Sequence, residues 1–276
     1  RSRSPLTIVA EAKDLYQKGY KEVILLGQNV DSYRWNINKK EEVIDQNIPT
    51  TNFSELLEKV ALVANDLRVR FSTSHPKDMT DDVVHVMKKY RNICNYIHLP
   101  VQSGSSKILQ KMNRGYSKEW YLKRIKSIRE IIPDCAISTD IITGFCDESD
   151  EDFQETLDLM KKVEFNFSYM FFYSERPKTL AERKYKDNIP LEIKKSRLQK
   201  VIDLQKEHSL KSNKSSVGKI MEVLVEGPSK KSALEYCGRN DENYKVVFPK
   251  EHSKEGDYVN VLIERFTSAT LIGKII

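Results

Sequence analysis

The sequence has no C-x-x-C pair. Its four cysteines, Cys94, Cys135, Cys146 and Cys237, are scattered. Neither a zinc site nor an iron–sulfur motif can be read from them, and reduced, buried thiols of a cytoplasmic protein are the simplest reading. Long apolar runs are missing too: no stretch approaches the roughly 18 residues that a helical membrane span needs. The N-terminus lacks the apolar core and cleavage site of a secretory signal. It enters an amphipathic helix almost at once, as expected of a piece cut from a longer chain. P-loop, G-x-G-x-x-G and H-E-x-x-H patterns are absent, which makes nucleotide triphosphate hydrolysis and zinc hydrolysis poor expectations. There is no low-complexity segment and no repeat beyond an alternation of helix and strand.

What is present is an ordinary globular composition, 31% charged and 39% hydrophobic over 276 residues. That length suits one large domain and a small one. Charge is unevenly placed. From Arg176 to Lys231 fifteen Lys and Arg stand against seven Asp and Glu, so this region carries +8 and the other 220 residues −2, for a net +6. A charge run is commonly a solvated helix face, but a local basic segment beside a β module is also the footprint of a nucleic-acid binder.

The first two thirds read as alternating helices and strands. Helical spacing over 7–20, 52–66, 79–91, 106–112, 117–131 and 150–164 separates strand-like runs at 21–29, 67–76, 95–102, 135–145 and 165–174. Helices of this length between strands favour a parallel sheet with right-handed crossovers. Thr80 is placed to cap its helix, residues 32–51 read as an exposed loop, and the stripe Phe165, Phe167, Tyr169, Phe171, Tyr173 reads mostly as core. A charged connector over 175–195 leads into a long amphipathic helix. Short alternating runs from Lys219 onward predict an all-β module of about 60 residues, most simply a five-stranded barrel.

In parallel α/β folds ligands lie beyond the carboxyl ends of the strands, where βα loops converge. Every strand exit here is polar: Gln28, Asn29 and Asp31; Ser72, Ser74 and His75; Gln102, Ser103 and Ser105; Thr139 and Asp140 with "GFCDES" (144–149); and "MFFYSERP" (170–177). Any one such loop is as readily a plain turn; the five together mark one candidate face.

These segments carry a resemblance. "LLGQNVDSY" (25–33), "RFSTSHP" (70–76), "HLPVQSGSSKILQKMNRGYS" (98–117), "STDIITGF" (138–145), "FFYSERPKT" (171–179) and the terminal "GKIMEVLVEG", "GRN", "YKVVFP" and "ATLIGKI" follow one another as in the tRNA methylthiotransferases of the MiaB type. The resemblance spans essentially the whole chain. It implies a partial (β/α)6 radical S-adenosylmethionine barrel over 1–213, with 190–213 as linking helix, followed by a five-stranded TRAM β-barrel over 214–276 that grips RNA. It implies a transferase that adds a methylthio group to C2 of N6-isopentenyladenosine at position 37, beside the anticodon. S-adenosylmethionine and two [4Fe–4S] clusters are the cofactors. The partners implied are the tRNA anticodon stem-loop and an electron donor, for a cytoplasmic monomer.

The resemblance also distributes roles. Gln28, Asn29, Ser74, Gln102, Ser103, Asp140, Phe145 and Tyr173 would line the cofactor pocket; Arg1, Arg3, Lys194, Lys195, Arg197, Lys219, Lys230, Lys231, Arg239 and Lys245 would meet RNA. The sequence departs from the family at the clusters, whose six cysteines are absent along with the N-terminal domain, the first barrel strand and its cysteine loop. A second departure is Cys146-Asp147, where the family more often has Pro-Gly. Two other readings stay open: methylthiolation of a ribosomal protein aspartate, and a cluster-free RNA-binding module.

Overall fold

The computed structural model describes residues 2–38 and 40–276. Helix α1 (Pro5–Gln17) opens on a proline, harmless in a first turn whose N–H groups have no intrahelical carbonyl to meet, and leads into β1 (Glu22–Leu25). A long excursion follows, in which β2 (Arg34–Trp35) and β3 (Thr51–Asn52) pair antiparallel. The expected loop is therefore partly ordered, because buried Asn36 donates to the carbonyls of Asp45 and Ile48. Helix α2 (Phe53–Ala61) starts from a capping box between Asn52 and Glu55, and β4 (Arg68–Phe71) pairs parallel with β1. Helix α3 (Asp81–Lys89) begins after Thr80, whose hydroxyl makes no capping bond.

Next come β5 (Tyr96–His98), α4 (Ser106–Lys111), α5 (Lys118–Ile131), β6 (Ala136–Thr143), α6 (Asp150–Val163) and β7 (Phe167–Phe172). Strands β5, β6 and β7 are parallel neighbours, and a parallel bridge from Val69 to Ile93 joins them to β1 and β4. The result is an open arc of five parallel strands in chain order, a partial barrel. Strand alternation gives the arc two faces. Val69 and Phe71 turn outward, where Phe71 packs edge-on against Phe53 of α2 and the wholly buried Leu57, Val60 and Leu67 complete the core. Burying each such side chain contributes about 1.5–3 kcal/mol.

The concave face differs from the expectation for the aromatic stripe. Only Phe165, before the strand, is core; Tyr169 and Phe171 are 55% and 53% exposed on the open side of β7. An incomplete barrel leaves these inward residues without neighbours to bury them.

The connector contains a short helix, α7 (Leu180–Lys184), before the long α8 (Leu191–Lys214). The buried stripe of α8 is mostly polar: Lys194, Arg197, Gln205, His208 and Asn213 point in around one wholly buried apolar residue, Val201, while Leu191, Ile193, Ile202 and Leu210 are exposed. Strands β8 (Ile220–Ser229), β9 (Ser232–Arg239), β10 (Lys245–Pro249), β11 (Tyr258–Phe266) and β12 (Leu271–Ile275) close into a barrel in the order β10-β12-β11-β8-β9. Alternate residues Met221, Val223 and Val225 fill it with Val246, Phe248, Val261 and Ile263. Gly238 is required at its tightest point, since a Cβ there would lie 2.0 Å from the carbonyl oxygen of Leu224.

Candidate active site

The carboxyl rim of the arc is polar and locally strained. Thr73 (φ 70°), Gln102 (φ 76°) and Asp147 (φ 59°) hold left-handed backbone at the exits of β4, β5 and β6, a conformation unfavourable for residues with a Cβ, above all for threonine. Thr73 is held by donation from its Oγ1 to the carbonyl of Gly27 at 2.6 Å, and the Val30 amide donates back to the Thr73 carbonyl. Gln102 is held by the sheet: its amide donates to Asp140 and its carbonyl accepts from Ile142, both at 2.9 Å.

At the β1–β4 end, the His75 amide donates to both oxygens of Asp31, at 3.0 and 3.1 Å. Burial nevertheless pushes the Asp31 carboxyl up to about 7, against those hydrogen bonds. Asn29 donates its Nδ2 to Asp78, which leaves its Oδ1 buried without a partner; Ser74 Oγ is likewise buried and unpartnered. Such atoms are costly unless something meets them. Gln28, exposed beside them, ends a groove of about 860 Å³ along β1 and α1.

Further along the rim, Asp140 projects from β6 onto the concave face. Its Oδ1 lies 3.5 Å from Nε2 of His98, whose Nδ1 shares a 2.8 Å hydrogen bond with Ser138 Oγ. Ser138 also meets the Tyr96 hydroxyl at 2.6 Å, and Tyr169 packs edge-on against His98. The concave wall thus combines an imidazole–carboxylate pair with exposed aromatic faces. His98, Ser138 and Tyr169 escaped the sequence reading of the rim; the signal for them is alternation, because each shares a strand face with a rim residue.

Two residues of the expected cofactor pocket, Ser103 and Phe145, are buried in this structure. Ser103 is wholly buried, its Oγ 3.3 Å from Thr156 Oγ1, because the loop after β5 is wedged against α6. Phe145 is 4% exposed and packs against Tyr173 and Tyr185, since the connector before α8 folds over it. Tyr173 shares this cluster, with its hydroxyl buried and unpartnered.

The expected RNA contacts also divide. Lys194 and Arg197 are turned inward: Lys194 reaches Asp187 at 2.6 Å, and Arg197 binds Glu148 and Asp150, both at 2.8 Å. The Arg197 pairs fasten α8 to the loop after β6 and the start of α6, whereas Lys194 is held by the connector and donates to the Tyr173 carbonyl at 3.1 Å, so both cations are removed from the surface. Lys195 and Lys200 on the same helix are exposed, as are Lys219, Lys230 and Lys231. Lys230 and Lys231 form the turn between β8 and β9, whereas Arg239 and Lys245 sit opposite one another at the other end of the barrel. Arg239 pairs with Glu226 at 2.7 Å, and exposed Arg3 with Glu11 at 2.8 Å. Arg1 lies outside the described residues.

The cysteines do not come together. No three His, Cys, Asp or Glu side chains cluster as metal ligands among the described residues, and burial pushes the Cys94 and Cys135 thiols up to about 12. These residues do not fit an iron–sulfur cluster. Among the described residues no helix is long and apolar enough to cross a membrane.

A strand-ordered open arc with a polar carboxyl rim, followed by a small closed β-barrel, defines a partial-barrel enzyme scaffold with an appended module, and comparison with known proteins agrees. Residues 1–160 match the Radical SAM superfamily and residues 214–276 match the TRAM domain. The chain belongs to the Radical SAM superfamily. It is 56% identical over 278 residues to the tRNA-2-methylthio-N(6)-dimethylallyladenosine synthase of Amoebophilus asiaticus, covering 100% of this chain and 57% of that protein. The synthases of that name from Christiangramia forsetii and Karelsulcia muelleri are 54% and 51% identical, each over 279 residues. Those matches cover 99% and 100% of this chain, and 58% and 62% of the two proteins. The chain therefore spans somewhat more than half the length of these relatives.

Proposed function

We propose that this chain is the barrel and RNA-gripping part of a tRNA methylthiotransferase that modifies C2 of N6-isopentenyladenosine at position 37. The observation that carries the reading is likeness to the synthases above along the whole chain, on a fold whose rim keeps Asn29 Oδ1 and Ser74 Oγ buried and unpartnered. Residues 1–213 would form the catalytic part, with 190–213 linking it to an RNA-binding barrel over 214–276.

S-adenosylmethionine, bound at this rim, would supply the transferred methyl group and the 5′-deoxyadenosyl radical of the family's chemistry. Asn29 and Ser74 offer acceptors to its ammonium and hydroxyl groups, Gln28 and Gln102 further amide contacts, and Asp140 a carboxylate edge. The clusters would be held outside this chain, whose cysteines do not fit them, and an electron donor would act there. Tyr169 and Phe171 offer flat apolar faces to a base drawn from a single-stranded loop, and His98 with Asp140 offers hydrogen bonds to its edge. Holding reactants in near-contact and excluding water is the protein's main contribution to such a reaction. A cytoplasmic monomer meeting tRNA and the donor in solution is the simplest setting.

Mass analysis of tRNA nucleosides after deletion of the gene tests this. Methylthio-isopentenyladenosine should disappear while isopentenyladenosine accumulates. Intact methylthio-nucleoside overturns the reading, and with it a missing methylthio group on a ribosomal protein aspartate would replace it.

A further inference from the structure

The amino end of the arc, opposite the rim, is closed by the β-barrel. Alternation turns Arg68 and Arg70 of β4 onto the concave face, and both are buried, at 5% and 6% exposure. Neither spends its guanidinium chiefly on a carboxylate. Arg68 Nη1 donates to the carbonyl of Arg239 at 2.7 Å, while Arg70 donates Nη1 to the carbonyl of Asp241 at 3.0 Å and Nη2 to that of Asn240 at 2.5 Å. Arg70 Nε is fixed from behind by Glu22 at 2.9 Å, and the Arg68 guanidinium stacks 5.0 Å from the Tyr258 ring centroid.

Three consecutive carbonyls of the turn between β9 and β10 are thus gripped by two arginines from the other domain. Side chains extend the contact. Asn95 donates to Asp241 Oδ2 at 3.2 Å, Asn166 donates to the Tyr244 hydroxyl at 2.6 Å, and the Tyr244 ring lies 5.1 Å from that of Phe167. The turn is itself set for this: buried Asn240 accepts from the Tyr244 amide at 2.8 Å, and Asn243 takes φ 70° to complete the bend. On the far side the Tyr258 hydroxyl donates to the carbonyls of Lys21 and Asp66. Charge-assisted bonds made away from water, with planar fork geometry, are the strong kind. A domain held only by its linker would need none of them.

We propose that the Asn240–Tyr244 turn is the floor of the arc's lumen and the positioning element that fixes the RNA-gripping barrel against the catalytic one. Arg68 and Arg70 are positioning residues in this account, and the "GRN" segment serves domain registration through its backbone. RNA bound to the β-barrel is then held at a set distance from the lumen. This rests on the function proposed above, so the test includes a readout that does not depend on it.

The full-length protein carrying both Arg68→Lys and Arg70→Lys keeps the charges but loses the forked grip on the carbonyls. Hydrogen exchange at residues 240–244 should accelerate, while affinity for an anticodon stem-loop RNA stays within about twofold. Methylthio product formed per bound RNA should fall roughly a hundredfold, the cost of a small misplacement of reacting groups. Asn95→Ala with Asp241→Ala leaves both arginines in place and should give a smaller acceleration of exchange in the same residues, which guards against misfolding of the first variant. Unchanged exchange in both variants, a released turn with parental product formation, or a matching loss of RNA affinity would each overturn the proposal. If the parent forms no methylthio product, the function fails and the exchange measurement alone decides the docking.

Discussion

Asp31 shows burial overruling hydrogen bonding. Two bonds from the His75 amide favour the carboxylate, yet desolvation and the nearby Asp78 charge raise its pKa to about 7. The native state therefore keeps a proton that the unfolded chain releases near pH 4, so stability declines as pH rises between about 4 and 7 and the penalty is complete above that. Asp31→Asn should remove this decline. Urea unfolding at pH 5 and pH 8 should show the parent losing on the order of a few kcal/mol relative to the variant; parallel curves would mean that Asp31 ionises normally. Gly104 is a different constraint. A Cβ there would lie 2.4 Å from the Glu155 carbonyl oxygen and 2.5 Å from Thr156 Cα, both backbone, so the loop after β5 meets α6 with no room. Gly104→Ala should cost about 2–3 kcal/mol, read as a lower urea midpoint at unchanged slope. The same contact buries Ser103. A Ser-Gly-Ser segment reads equally well as a ligand loop or as a helix-packing wedge, because residue type alone does not tell which side of the loop a neighbouring helix will occupy.

Helix α8 marks where periodicity stops being informative. A 3.6-residue stripe is normally assigned inward by its apolar members, but here the inward stripe contains Lys194, Arg197, Gln205 and His208. The reason lies in the partners: Glu148 is 3% exposed and meets Arg197 at 2.8 Å, while the Gln205 amide donates to the Phe165 carbonyl at 2.9 Å. A carboxylate buried by a distant loop dictates a cation on the helix, which no local pattern reveals. The βα units were legible for the opposite reason. Their helices bury apolar faces set by local spacing, and capping signals such as Asn52 with Glu55 mark where they begin. Removing one partner of the buried pair should be costly: Arg197→Ala leaves Glu148 uncompensated and should lose about 3–5 kcal/mol. Arg197→Met combined with Glu148→Leu should recover most of it. A denaturation cycle over the single and double variants checks this, and additive losses would show that the pair does not act as a unit.

The excess positive charge from Arg176 to Lys231 is legible as a quantity but not as a surface, since α8 turns two of its cations inward, Arg197 onto the loop after β6 and Lys194 onto the connector. The β-barrel separates its own cations. Lys230 and Lys231 project at one hairpin tip, while Arg239 and Lys245 lie at the opposite end of β9, where the Arg239 carbonyl is held by Arg68. The end turned toward the arc is committed to domain contact, so under the function proposed above the hairpin tip is the better-placed phosphate contact. Exposed cations that neutralise phosphates release counterions, so each contact steepens the fall of affinity with salt by a slope of about 0.7–0.9. Lys230→Ala with Lys231→Ala should flatten the salt dependence of anticodon stem-loop binding by about 1–2 in slope, whereas Lys194→Gln should leave the slope unchanged while lowering stability. Titrations at several salt concentrations decide it: a slope that moves with Lys194 and not with the hairpin pair would put the RNA on the helix, and the inward pairing of Lys194 would have to open when RNA binds.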